Sequence, residues 1–333
     1  MIPVAPRSLA LPDWQTQMRS AWRDPRALLR HLELDPAEFG VDAESRFDFL
    51  VTEAFAERMR PGDRNDPLLR QVLATTAERE PAPGFTNDAV GERASRAQPG
   101  ILHKYAGRAL LVTTAACPIH CRYCFRREFD YASDRLDRAR LQAAVDWLTE
   151  RPDITEVILS GGDPLMLADR RLTEITNALA RLPHLKRLRI HSRVPVTLPA
   201  RVDEGLIEWL TQLPWPVVLV VHANHAREFD EYVGAAISRL RSASVTVFNQ
   251  AVLLNGVNDD PDALAELMET GFEAGVIPYY LHLLDRVSGA ARFETGSDRI
   301  PGLIEALRRR LPGYLVPRLV RETAGTPYKL PVL

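Results

Sequence analysis

Cysteine is nearly missing from this chain: three residues of 333, all between positions 117 and 124. No disulfide framework can be built from them, so the fold has to rest on a buried core, which a chain of this length can supply. Long apolar runs are missing too. No stretch approaches the ~20 residues that span a bilayer, and the opening MIPVAPRSLALPDW lacks the basic start and continuous apolar run of a secretory signal. The expectation is a cytoplasmic protein without membrane contact, where thiols stay reduced and close-set cysteines point to metal binding or catalysis. Nor is there an excess of either charge. With 42 Lys+Arg against 44 Asp+Glu and a net charge of -2, bulk attraction to nucleic acid or anionic lipid is not expected. Low-complexity tracts and repeats of fixed period are absent as well.

What the chain does have is a change of texture near residue 108. Before it, segments 13–32, 43–60 and 66–78 carry apolar residues at three-to-four spacing, broken by Pro25, Pro36 and Pro61, which predicts a helical N-terminal region. Residues 80–100 are rich in Pro, Gly, Asn and Asp and read as a linker or extended wrap. After it, short apolar runs at 109–114, 155–160, 187–192, 216–222, 244–250 and 276–282 alternate with helix-like segments at 135–150, 170–182, 201–212, 229–241 and 261–274. That alternation predicts βα units around a parallel sheet buried on both faces. Six units suit an α/β fold of the partial (β/α)6 type, short of the eight of a closed TIM-like barrel. The expected organisation is a helical region and wrap over 1–99, the barrel over 100–315 and a C-terminal segment over 316–333.

Polar residues fall where such a barrel places its chemistry. Cys117, Ser160-Gly161-Gly162-Asp163, His191-Ser192-Arg193, His222, Gln250 and His282 all stand at or just after the end of an apolar run. Six in succession on one rim argue for an active site there, although an open doubly wound sheet would gather ligands at the same strand ends. Basic clusters at Arg126-Arg127 and Arg308-Arg309-Arg310 are also local; the second suits the C-terminal end of a helix.

The cysteines read Cys117-Pro-Ile-His-Cys121-Arg-Tyr-Cys124, a C-x3-C-x2-C spacing. Three thiolates so close in sequence can hold one metal centre. In an iron–sulfur cluster they would leave one iron open, and an open position is what separates catalytic from structural metal sites. A zinc site remains a competing reading, with His120 as the local fourth ligand, and so do three merely buried cysteines.

This spacing, with Tyr123 before the last cysteine, resembles the radical S-adenosylmethionine (SAM) superfamily. The blocks HKYAGRALLVTTAACPIHCRYCFRREF, SGGDPL, RIHSRVPVTLPARV, HANHAREF, NQAVLLNGVND and PYYLHLLDRVSGAARF resemble, in order and separation, the lysine 2,3-aminomutase family. The resemblance implies a 4Fe–4S cluster on Cys117, Cys121 and Cys124, with SAM bound near Ser160, Gly161, Gly162, Asp163, His222 and Gln250. It implies pyridoxal phosphate as a Schiff base on Lys329, with Arg108 near its phosphate. Arg126 would take the carboxylate of the substrate L-lysine, and Asp285 and Glu322 its side-chain ammonium. The implied activity is that of an isomerase. A 5′-deoxyadenosyl radical removes hydrogen from C3, the amino group moves from C2 to C3, and the hydrogen returns to give β-lysine.

Several positions depart from the longer, metabolic members. Thr323-Ala324-Gly325-Thr326-Pro327-Tyr328 stands in place of a glycine-rich run, Glu322 replaces an aspartate, and Asp260 stands where a zinc cysteine is found. The sequence ends at Leu333 without a further cysteine. These features resemble the short branch that supplies β-lysine for modifying elongation factor P. That implies a functional link to a lysyl-tRNA-synthetase-like ligase and to elongation factor P, with flavodoxin or ferredoxin as electron donor. The rival readings are a metabolic aminomutase, an aminomutase for another amino acid, and a non-catalytic iron–sulfur or zinc protein. Without the resemblance, Lys329 would be read as a solvated tail residue.

Overall fold

Ten strands form one sheet in which each strand pairs with its neighbours in the chain. The computed structural model describes residues 12–332 apart from 43, 44, 46 and 135; part of the expected 43–60 segment, and the start of 135–150, therefore lie outside the described residues. The strands are β1 (Arg96–Gln98), β2 (Ile101–Tyr105), β3 (Arg108–Thr114), β4 (Glu156–Gly161), β5 (Arg187–His191), β6 (Val217–Val221), β7 (Thr246–Val252), β8 (Ile277–His282), β9 (Arg318–Arg321) and β10 (Leu330–Pro331). From β3 to β9 every pairing is parallel. At one edge β1 and β2 run antiparallel, and at the other β10 runs antiparallel to β9. The six apolar runs of the sequence are β3 to β8, the staves of a partial TIM-like barrel. The sheet adds a seventh parallel strand, β9, and continues past residue 315.

The strands read as apolar runs because helices cover one face and barrel contents the other. All six residues of β4 are buried, and Val217-Val-Leu-Val-Val221 is nearly so. The crossover helices start where an aspartate satisfies the free N–H groups of the first turn. Asp137, Asp203, Asp230 and Asp260 accept from Arg140, Leu206, Val233 and Asp262 N–H respectively. Each helix then buries one stripe, for example Val233, Ala236, Ile237 and Leu240, at the spacing of an amphipathic helix. One continuous core runs from Ile101 to Leu319.

The N-terminal region is helical but in shorter pieces than the periodicity suggested: Trp14–Ser20, Pro25–His31, Glu53–Ala56 and Pro67–Val72. The break expected at Pro25 is there: the first helix ends at Ser20, and Pro25 does not sit in a helix interior. It opens a second one, with Asp24 as its cap, because the first helical position needs no N–H. These helices bury Leu28, Leu29, Phe55, Leu68 and Val72 in a second core that also takes Ile119 of the cysteine loop, with Cys121 packed against it. The wrap is pinned at Thr86, which bridges to Val287, and Phe85 packs on a third cluster around Phe293 that touches Tyr123. Both N-terminal segments therefore end on the same loop. No helix among the described residues is long and apolar enough to cross a membrane.

Candidate active site

A cavity of about 910 Å³ occupies the barrel, and every residue given a cluster, cofactor or substrate role from the sequence lines it. At one end lie the three thiols. The loop that carries them follows β3 and is fastened from two sides. On the barrel side, Gly162 N donates to Thr114 O at 2.7 Å and Asp163 N to Ala116 O at 2.8 Å. A Cβ on Gly162 would lie 2.6 Å from Ala116 O, and Gly161 holds φ at +118°, where side chains are strained. The glycines thus bring β4 against the residues just ahead of Cys117, while still facing the cavity.

On the other side the N-terminal region holds the loop by charge. Arg122, fully buried, donates to Glu78 Oε1 at 3.0 Å and Oε2 at 2.6 Å, and to Phe47 O at 2.7 Å. Arg127 reaches the same Glu78 at 2.8 Å. His120, the candidate fourth zinc ligand, has Nδ1 2.9 Å from Asp48 O and stacks on Phe47. Among the described residues, no three His, Cys, Asp or Glu side chains converge on the position of a single metal ion. Burial, then Asp163 and the neighbouring thiols, pushes Cys117 well above the usual thiol range; burial and Cys121 push Cys124 to about 11. Cys117 and Cys124, pushed up in this way on either side of Cys121, belong to a donor set that suits a cationic iron centre, which supplies the positive charge that thiolates need.

Around the thiols the polar groups are already committed. Asp163 is buried and accepts from Ser192 Oγ at 2.7 Å, Arg193 N at 2.7 Å, Leu165 N at 3.1 Å and Val194 N at 3.1 Å. Burial, against those hydrogen bonds, lifts it to about 6. Arg126 turns its guanidinium fork onto Glu92, with Nη2 2.6 Å from Oε1 and Nε 2.9 Å from Oε2, and gives Nη1 to Ser160 Oγ at 2.9 Å. His222 Nε2 and Gln250 Nε2 stand 3.0 Å apart. Burial and the nearby Arg193 pull His222 down to about 3, so it is a neutral imidazole at any ordinary pH.

At the other end lies Lys329, which is no tail residue. Its neighbour Leu330 pairs with Arg321 across β9 and β10, and its side chain is only 19% exposed. Nζ stands 3.1 Å from His282 Nε2 and 3.3 Å from Glu322 Oε2. Burial holds His282 neutral, leaving it able to accept from the amine. Glu322 also takes Lys104 Nζ at 2.7 Å, and that same ammonium donates to Val90 O at 2.8 Å. Burial pushes Glu322 up, but Lys329 and then Lys104 outweigh it and hold the carboxyl at about 2. Asp285 is pushed the other way, to about 7, by burial and then by Glu322. Arg108 stacks over Tyr105, 4.8 Å from the ring centroid. Neither it nor Arg318, at the same end of the cavity, has a carboxylate partner among the described residues.

Glu92, Lys104, Arg318 and the role of Arg193 escaped the sequence reading. Each is a charged residue in a stretch without periodicity, and only the fold brings it to the cavity. A lone carboxylate at 92 carried no signal; the buried arginine it neutralises lies 34 residues on.

The family described as the Radical SAM superfamily matches residues 111–268, a span that starts within β3 and ends within the helix Pro261–Glu273. The L-lysine 2,3-aminomutase of Escherichia coli is 45% identical over 96% of this chain and 94% of that one. The protein of the same name from Haemophilus influenzae is 40% identical over 95% and 94%. That from Clostridium subterminale is 33% identical over 96% of this chain and 78% of its own length.

Proposed function

Since the chain belongs to the lysine 2,3-aminomutase family of radical SAM enzymes, we propose that it converts L-lysine to β-lysine in the cytoplasm, with pyridoxal phosphate as well as the cluster and SAM that its superfamily implies. The observation that carries this reading is Lys329: an amine in the same cavity as three thiols, steadied by Glu322 and His282. When bound, pyridoxal phosphate supplies an aldehyde that condenses with amines and a ring that accepts unpaired electron density, while the cluster and SAM supply the 5′-deoxyadenosyl radical.

The chain's own residues do the rest. Cys117, Cys121 and Cys124 hold the cluster, and the Ser160–Asp163 turn, His222 and Gln250 line the space for SAM. Neutral His222 offers hydrogen bonds without adding charge beside a sulfonium. Arg108 and Arg318, cations without a carboxylate partner among the described residues, suit a phosphate. Arg126 takes the substrate carboxylate in exchange for Glu92, a swap of one carboxylate for another on the same fork. Asp285 and Glu322 receive the side-chain ammonium, and burial of the whole set keeps water from the radical.

The product, we further propose, is destined for elongation factor P through a lysyl-tRNA-synthetase-like ligase, with flavodoxin or ferredoxin supplying the electron. Asp260 supports this branch over the metabolic one. At the position where longer members carry a zinc cysteine, Asp260 accepts from Asp262 N at 2.8 Å and Ala263 N at 3.2 Å and starts a helix. An anaerobic assay with reconstituted protein, dithionite, SAM, pyridoxal phosphate and L-lysine tests the reaction. β-Lysine should form, and Lys329→Ala should lose it while keeping the cluster's absorbance. Full turnover in that variant would sink the role given to Lys329.

A further inference from the structure

Arg193 follows β5 and reaches across the cavity wall to the cysteine loop. Its Nη1 donates to Cys121 Sγ at 2.7 Å. Its Nη2 donates to Gln71 Oε1 at 2.7 Å and to Glu228 Oε2 at 2.8 Å. The side chain is 5% exposed and that of Glu228 fully buried. The backbone leaves little play, because Arg193 N is bound to Asp163 at 2.7 Å and the guanidinium lies over Phe55 and Tyr123, 5.3 and 5.7 Å from their centroids. Glu228 is equally fixed, accepting from Gln71 Nε2 at 3.0 Å and Asn224 N at 2.9 Å. The pair is therefore a rigid buried dipole with its positive end on a cysteine sulfur and its negative end turned away.

Resting on the reading that the three thiols hold the cluster, we infer that Arg193 sets the reduction potential of that cluster through Cys121, and that Glu228 limits how far. Reduction adds one electron and so one negative charge to the cluster. A charged N–H donor on a ligand sulfur favours the reduced form, and hydrogen bonds to sulfur are one of the levers that fix such potentials. In a buried site the effect is strong because little water screens it. Glu228 cancels the net charge, so the field acts on the nearest sulfur rather than on the whole site. The arrangement eases entry of the electron from a cellular donor while leaving the reduced cluster able to pass it on to the sulfonium. Arg193 acts through Cys121 and is a positioning residue for the electron, not a group that touches substrate.

Redox titration of the full-length, anaerobically reconstituted protein without SAM, followed by electron paramagnetic resonance of the reduced cluster, tests this. Arg193→Gln should lower the reduced-to-oxidised ratio at fixed poise about tenfold, which for one electron is about 59 mV downward. Arg193→Lys, which keeps the charge, should recover part of the shift. Glu228→Gln should move the potential upward, because it strips the counter-charge and leaves the cation. Opposite signs for the Arg193→Gln and Glu228→Gln variants are the signature; loosening of the loop alone would move both the same way. Equal signs, or no shift in either, overturn the inference. If Arg193→Gln fails to load iron, the direction found for Glu228→Gln decides: upward sustains the inference, anything else ends it. Wild-type protein that binds no cluster would instead bring down the underlying reading of the three thiols.

Discussion

The two ends of the cavity balance their charges in different ways. At the thiol end each of these buried arginines is ion-paired within the protein: Glu78 holds both Arg122 and Arg127, Glu92 holds Arg126, and Glu228 holds Arg193. At the other end one carboxylate, Glu322, is shared by Lys104 and Lys329. Asp285 there keeps its proton up to about 7, with burial the main cause, and Arg108 and Arg318 go without a carboxylate partner among the described residues. At the first end the protein itself supplies a carboxylate to each of these arginines. The second is left short of partners, and its charges are balanced only when a phosphate, an aldehyde and an ammonium arrive. Scaffold and receptor are thus told apart by where the counter-charges come from.

Breaking the pairs at the thiol end should cost the most. Glu78→Gln leaves Arg122 buried with no anion, and loss of one partner from a buried pair costs about 3–5 kcal/mol. Denaturant unfolding of the cluster-free protein should show that loss; a change within error would mean that the pairing is not what fastens the loop. At the receptor end, Arg108→Gln should leave unfolding unchanged but weaken pyridoxal phosphate binding about 10- to 100-fold, as expected for one charged hydrogen bond. An equilibrium titration of cofactor absorbance checks it, and unfolding that shifts instead would erase the distinction between the two ends.

Glu92→Gln probes the border between them. With the competing carboxylate gone, the KM for lysine should fall about tenfold, the equivalent of ~1.4 kcal/mol of like-charge opposition relieved. A raised KM would show that Glu92 orients Arg126 rather than occupying it. The smallest effect belongs to Asp285. Its proton is held more tightly in the folded than in the unfolded chain, whose carboxyl ionises near 3.8. The folded state therefore binds more protons between those two values, and stability falls as pH rises through that window. Lysine's ammonium wants the carboxylate, so affinity for lysine should rise a few-fold as pH climbs through about 7, and Asp285→Asn should flatten that profile in calorimetric titrations.

The sequence made the barrel staves readable because each is an apolar run longer than chance and separated from the next by an amphipathic helix. β9 and β10 were not readable in the same way. Arg318–Arg321 is four residues long with charges at both ends, and Leu330–Pro331 is a pair; each is a strand only because a neighbour offers it a ladder. The short N-terminal helices fail for a related reason. Their apolar periodicity is real, but capping aspartates and first-position prolines cut it into separate turns. The cysteines and the cavity residues after strands were legible as chemistry at a shared rim. The resemblance supplied Lys329, which nothing in composition or spacing marks. The counter-ions were illegible throughout, since Glu78, Glu92 and Glu228 meet their arginines only after folding, across 44, 34 and 35 positions.

The cysteine loop takes its shape from its neighbours: Ile119 sits in the N-terminal core, Arg122 is locked on Glu78, and its leading residues lie against Gly161 and Gly162. Packing from the N-terminal core, charge from Glu78 and the close approach of two glycines thus set this loop from three directions. Metal-free protein should therefore keep the loop's fold, so that iron enters a preformed loop rather than folding one around itself.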